Sequence, residues 1–174
     1  MIEILDCPFS LDIKENILSW LDTQEFHTVR GGDAYKTNDY VDIHIPEIKK
    51  LFDWIESITT DAAIQLALFS NSLYNNNPRE NTKNFKIDAY WGLTYPINSW
   101  IEPHNHFPHA LSFTYYVNVP QESAPLIIND QKHWIKEGQL VIFPSLFTHW
   151  VPPAIKNGRT LLSGDIVYLS RFSN

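Results

Sequence analysis

Residues 138–169 read GQLVIFPSLFTHWVPPAIKNGRTLLSGDIVYL. Three apolar runs, 139–143, 150–151 and 159–169, are cut apart by Phe-Pro, Val-Pro-Pro and Asn-Gly. Short runs rich in Val, Ile, Leu and aromatic residues, bounded by Pro and Gly, read as strands of a sandwich or barrel. Moving outward, the same text begins at Phe85. Further strands are predicted over 85–94, 110–119 and 125–128, with Pro96, Pro103, Pro108 and Pro120 between them. The chain is 14% aromatic, which suits a pleated, half-buried surface. The fold class is therefore mainly β.

The first 84 residues are different in kind. Ile13, Ile17, Leu18 and Leu21 share one side of a predicted helix capped by Ser10 or Asp12. After Pro46, the residues Ile48, Leu51, Phe52, Ile55, Ile58, Ala62 and Leu66 recur at spacings of three and four, the stripe of a longer amphipathic helix. Gly31-Gly32 marks a loop between them, and the alternation over residues 40–45 allows a short strand. Asn75-Asn76-Asn77-Pro78-Arg79 is a break. Residues 1–174 read as one domain, a helical and loop part over 1–84 packed outside a β-sandwich core over 85–170.

Composition narrows the functional classes. The formal net charge is −7 and no run of Lys or Arg forms a nucleic-acid footprint, so a nucleic-acid partner is disfavoured. Cys7 is the sole cysteine, which excludes an intramolecular disulfide and a thiolate metal cage. The acidic start MIEILD does not resemble a secretory leader, and no apolar stretch reaches the roughly 20 residues of a membrane span. A cytoplasmic protein without a membrane partner is expected.

Three of the seven histidines fall in His104-Asn105-His106-Phe107-Pro108-His109, and His149 follows in FPSLFTHWVPP. On a strand, residues i and i+2 face the same side, so His104 and His106 can offer two imidazoles to one metal, with His149 arriving from another strand. Imidazole suits iron, zinc, copper or nickel. His109 has the opposite parity, and His27, His44 and His133 are isolated in polar surroundings. Arg159 lies ten residues after His149, and Ser163 keeps its parity. A guanidinium matches a carboxylate with two parallel bonds, so a metal facing an Arg is what a chelating dicarboxylate requires. Trp91, Tyr95, Trp100, Tyr115 and Tyr116 are core candidates that can also line a cavity, and Trp150 has the parity opposite to His149.

HNHFPHALSFTYYVNVP, GQLVIFPSLFTHWVPP and NGRTLLSGDIVY together resemble, in order and spacing, a 2-oxoglutarate/Fe(II) oxygenase family of bacteria and phages. The resemblance covers roughly residues 90–168. It implies a double-stranded β-helix (a cupin-like jelly roll), iron ligands at His104 and His149, and 2-oxoglutarate carboxylate binding at Arg159 with Ser163. It also implies dioxygen as co-substrate, ascorbate as accessory reductant, and hydroxylation of a small-molecule or peptide substrate with release of succinate and carbon dioxide. Two positions depart from the pattern. His106 stands where such oxygenases carry Asp or Glu, which leaves either a three-histidine site or completion by an acidic residue, Asp165 or Asp130. Phe113 stands where a Gly is usual. Rival readings are a cupin-type metalloenzyme that does not use 2-oxoglutarate and a non-catalytic jelly-roll binding module. Exposed strands offer a route to a homodimer.

Overall fold

The computed structural model describes residues 1–29, 31–66 and 84–169. The predicted break at 75–79 lies outside them. In chain order the elements are β1 (Glu3–Asp6), α1 (Ser10–Leu21), β2 (His27–Thr28), β3 (Tyr35–Lys36), α2 (Pro46–Gln65), β4 (Phe85–Tyr95), β5 (Ile101–His104), β6 (Leu111–Asn118), β7 (Leu126–Ile128), β8 (Gln131–His133), β9 (Gln139–Pro144), β10 (His149–Val151) and β11 (Arg159–Tyr168). Every strand pairing is antiparallel. A seven-stranded sheet in the order β1-β9-β6-β11-β4-β3-β2 faces a four-stranded sheet in the order β5-β10-β7-β8. This is the jelly roll expected, with the helices outside it.

Side-chain alternation divides the large sheet between two cores. Tyr90, Leu111, Phe113, Tyr115, Leu140, Ile142, Leu162 and Ile166 pack under the helices. They meet Ile13, Ile17, Trp20 and Leu21 of α1 and Ile48, Leu51, Phe52 and Ile55 of α2. The intervening residues Trp91, Leu93, Tyr95, Tyr116, Val141, Phe143 and Leu161 face the small sheet and its Ile101, Leu126, Ile128 and Val151. Phe113, the departure from Gly, fills the helix-side core, edge-on to Phe52 with ring centroids 5.8 Å apart. Its cross-strand partner is Gly164, where an added Cβ would lie 2.7 Å from the Phe113 ring and 2.5 Å from the Ala89 carbonyl. The large residue fits because its neighbour has no side chain.

The structure corrects several sequence expectations. Residues 40–45 form no strand; Tyr40 makes a single bridge to Tyr90. The strands of that region are instead β2 and β3, a hairpin added beside β4. Neither Ser10 nor Asp12 caps α1: the N-cap position is Phe9 and no side chain bonds the free amides. The second helix starts at Pro46, whose fixed φ and missing N–H suit a first turn. Three more strands, β1, β5 and β8, escape the apolar-run criterion because each is too short and polar to show one. Among the described residues, no helix is long and apolar enough to cross a membrane.

Candidate metal and dicarboxylate site

The cavity between the sheets, about 480 Å³, is lined by residues of both. That size suits a small ligand. Strand β5 carries His104 to its wall and β10 carries His149 to the same place. In the β5–β10 register these two residues are directly opposed, and their ring centroids lie 4.3 Å apart. His106 is two residues past the end of β5, in a turn rather than on the strand that parity assumed. Its backbone N–H donates to the Ser145 carbonyl at 2.8 Å, which holds the turn against the end of β9. Its ring stacks on Trp91, with centroids 5.5 Å apart and planes 10° from parallel. One ring nitrogen from each of His104, His106 and His149 lies within 4.8 Å of the others.

Hydrogen bonding fixes which nitrogen faces inward. His104 Nδ1 is 2.8 Å from the Glu102 carbonyl and His149 Nδ1 is 3.2 Å from the Phe147 carbonyl. His106 Nδ1 is 2.9 Å from Asp165 Oδ1. A carbonyl or carboxylate only accepts, so each Nδ1 carries the proton and each Nε2 keeps its lone pair. Burial, reinforced by the nearby His104 and His106, pushes His149 down to about 3. Burial also lowers His104. Both rings are thus neutral at physiological pH, the form that ligates a metal. With His106 Nε2 beside them, they make a three-nitrogen set that fits Fe(II) and leaves coordination positions for small molecules.

Arg159 begins β11 just after Gly158, whose φ of +90° turns the chain into the strand. The guanidinium is only 2% exposed, and the β4–β11 register sets it against Tyr95, 4.1 Å over that ring. Its Nη1 donates to the Ala124 carbonyl, while Nε and Nη2 have no partner. The Tyr116 hydroxyl is also buried without a partner. Tyr95 and Tyr116 line the cavity, and Arg159 lies behind them rather than on the wall itself. Among the described residues no carboxylate pairs with this buried cation. Ser163 is on the wall, its hydroxyl 2.9 Å from that of Thr114. The donors suit a ligand carboxylate.

Other candidates are placed elsewhere. His109 stays outside the triad, its Nδ1 donating to the His106 carbonyl at 3.0 Å and its Nε2 facing Asp88 at 3.3 Å. Asp130 sits in the β7–β8 turn with a φ of +64°. Asp165 stands behind His106. Trp91 lines the cavity, but Tyr115 packs on the helix side and Trp100 lies in an exposed loop, its indole N–H on Asp33. Trp150, despite its parity, borders the cavity. So do His27 and Lys36 of the β2–β3 hairpin, which no local pattern marks beyond the turn at Gly31-Gly32.

No protein-family model matches the chain. Over 155 residues it is 27% identical to the PKHD-type hydroxylase YbiX of Shigella sonnei (strain Ss046), an alignment covering 80% of this chain and 64% of that protein. The chain thus spans just under two thirds of this relative. A 2OG-Fe(II) oxygenase family oxidoreductase from Burkholderia pseudomallei superposes with a TM-score of 0.67 at 12% identity, over 95% of this chain and 84% of that one. A prolyl-4-hydroxylase from Pseudomonas putida gives 0.69 at 13% identity, over 97% and 93%. At these identities the shared property is the fold.

Proposed function

We infer that this chain, a relative of a hydroxylase with the fold of the 2-oxoglutarate/Fe(II) oxygenases, is an Fe(II)- and 2-oxoglutarate-dependent dioxygenase. One observation carries the reading: a buried guanidinium with two unpaired donors lies in the same inter-sheet core as three converging imidazoles. A buried cation without an acidic partner is costly, and a dicarboxylate chelated at its far end would relieve that cost. His104, His106 and His149 would hold iron through Nε2, and Arg159, with the Tyr116 hydroxyl beside it, would hold the distal carboxylate. Ser163 would supply a further hydroxyl on the same wall.

With iron and 2-oxoglutarate bound, the site would couple oxidative decarboxylation to hydroxylation of a substrate C–H bond by dioxygen, releasing succinate and carbon dioxide. The chain's own groups set the geometry. The three Nδ1–H bonds lock the imidazole planes, and Trp91 buttresses the His106 ring. Phe143, Leu161 and Val151 keep much of the cavity wall apolar, which limits water near the reacting centre. His27, Lys36, Glu102 and Trp150 are more exposed than the inner wall, and a small molecule or peptide would enter past them.

The absence of a carboxylate from the triad favours a second reading, a cupin-type metalloenzyme that does not use 2-oxoglutarate. That reading leaves the Arg159 donors without a purpose. Succinate formation from 2-oxoglutarate with iron(II) and ascorbate, even without a substrate, decides between them. Turnover that disappears in Arg159→Ala supports the oxygenase. Metal retention without any 2-oxoglutarate consumption supports the alternative.

A further inference from the structure

Among the described residues, Asp165 is a carboxylate in the wrong place for a ligand and the right place for its partner. Its side chain is 8% exposed. Oδ1 accepts a hydrogen bond from the Ser112 hydroxyl at 2.8 Å and lies 2.9 Å from His106 Nδ1. Oδ2 lies 3.2 Å from the same ring nitrogen. The Ser145 hydroxyl, 2.7 Å from Ser112, continues the chain and orients the Ser112 proton. Neither Lys nor Arg approaches Asp165 within ion-pair distance among the described residues. The remaining neighbour, His109 Nδ1, is 3.6 Å away and its proton is committed to the His106 carbonyl. His109, with one ring nitrogen on a carbonyl and the other facing Asp88, is a nearby cation that gives Asp165 no hydrogen bond; among the described residues the ring N–H that Asp165 does accept is that of His106.

We propose that Asp165 is a positioning residue that returns, through His106, the negative charge which the three-histidine set lacks. The inference rests on His104, His106 and His149 being the metal ligands. A carboxylate bonded to Nδ1–H fixes the ring so that Nε2 aims at the metal, and it raises the basicity of that nitrogen. The centre then has the net charge of two imidazoles and one carboxylate, with the carboxylate moved outward by the length of one ring. His104 and His149 have only neutral carbonyls behind them, so this role falls to His106 alone.

The test uses the full chain with Zn(II), a redox-silent stand-in, at pH 8. Asp165→Asn keeps the shape and removes the charge, and should weaken Zn(II) by roughly 10- to 100-fold in chelator competition. Its metal-free melting temperature should stay at or above that of the wild type, whereas a purely structural Asp165 would lower it. His106→Asp/Asp165→Asn, which moves the carboxylate into the ligand set, should recover the affinity. In ¹⁵N-histidine spectra of the Zn(II)-loaded wild type, His106 should bind through Nε2 with its Nδ1 proton the farthest downfield of the three. An Asp165→Asn affinity within threefold of the wild type, or His106 bound through Nδ1, overturns the proposal while leaving the metal site standing. Loss of Zn(II) binding in His149→Ala confirms that site separately. A wild type that binds no Zn(II) overturns both.

Discussion

Arg159→Met replaces the guanidinium with a shorter apolar chain that ends near the position of Nε and separates the two roles this residue can have. In the wild type the charge is 2% exposed, bonded once to the Ala124 carbonyl and stacked on Tyr95, with Nε and Nη2 unpaired. If 2-oxoglutarate seats its distal carboxylate on those donors, removing them severs a buried, charge-assisted contact. Such truncations cost about 2–5 kcal/mol, and at ~1.4 kcal/mol per tenfold the affinity should fall roughly 30- to several thousand-fold. Without ligand the balance is different. Each unpaired buried donor costs about 1–3 kcal/mol, against about 1 kcal/mol each for the lost Ala124 bond and the Tyr95 contact. The space left by the buried guanidinium adds a cavity cost of the same order as the relief, so the melting temperature of the metal-free variant should shift little. Anaerobic calorimetry of 2-oxoglutarate into Co(II)-loaded protein, paired with thermal denaturation, measures both quantities. An affinity within threefold of the wild type would refute the assignment of Arg159, whatever happens to stability.

Metal retention should vanish in His149→Ala and survive in His109→Ala, as followed by metal analysis after gel filtration; equal loss in both would mean a different ligand set. Because burial lowers His104 and His149 below their unfolded values, the folded metal-free protein binds fewer protons than the unfolded chain at acid pH. Its stability should thus fall as pH drops from about 6.5 toward about 3, by up to about 1.4 kcal/mol per pH unit for His149, with His104 adding in the same direction; His149→Gln should flatten that slope in urea titrations, and an unchanged slope would contradict the assigned cause. Gly164→Ala puts a Cβ 2.5 Å from the Ala89 carbonyl and should destabilise by about 1–3 kcal/mol in the same assay. A neutral result would show that β4 and β11 can separate there.

Strand content and both helices were legible from local pattern. The stripe from Ile48 to Ala62 identifies α2 because a 3.6-residue period is visible within one segment. Strands β4, β6, β9 and β11 are long or apolar enough to stand out. The short polar strands were not. Yet β8 had a usable signal: Asn129-Asp130, both with positive φ, makes a two-residue hairpin that pairs Ile128 with Gln131. The histidines were legible as residue types at a spacing, but His106 reaches the site from a turn held by Ser145, a contact 39 positions away that no local period encodes. Its partner Asp165 was visible only as a loose acidic candidate. The β2–β3 hairpin enters the site through pairing with β4, likewise a long-range choice.

The helical layer, which carries no motif, has a consequence for the chemistry. On β11 the residues Arg159, Leu161, Ser163 and Asp165 share the inter-sheet face, while Leu162, Gly164 and Ile166 face α1 and α2. A shift of one residue in register would send Arg159, Ser163 and Asp165 to the helix side together. What prevents it is the fit on the opposite face: Phe113 over Gly164, Phe52 against Phe113, and Leu162 and Ile166 in the same core. Asp88, the extra residue where the pairing of β11 with β4 shifts after Asp165, ends the strict alternation beyond the site and faces His109. The N-terminal part thus acts on the site through register. Substitutions at Phe52 or Leu51 should disturb the guanidinium and the Asp165 carboxylate at once, although neither residue touches the cavity.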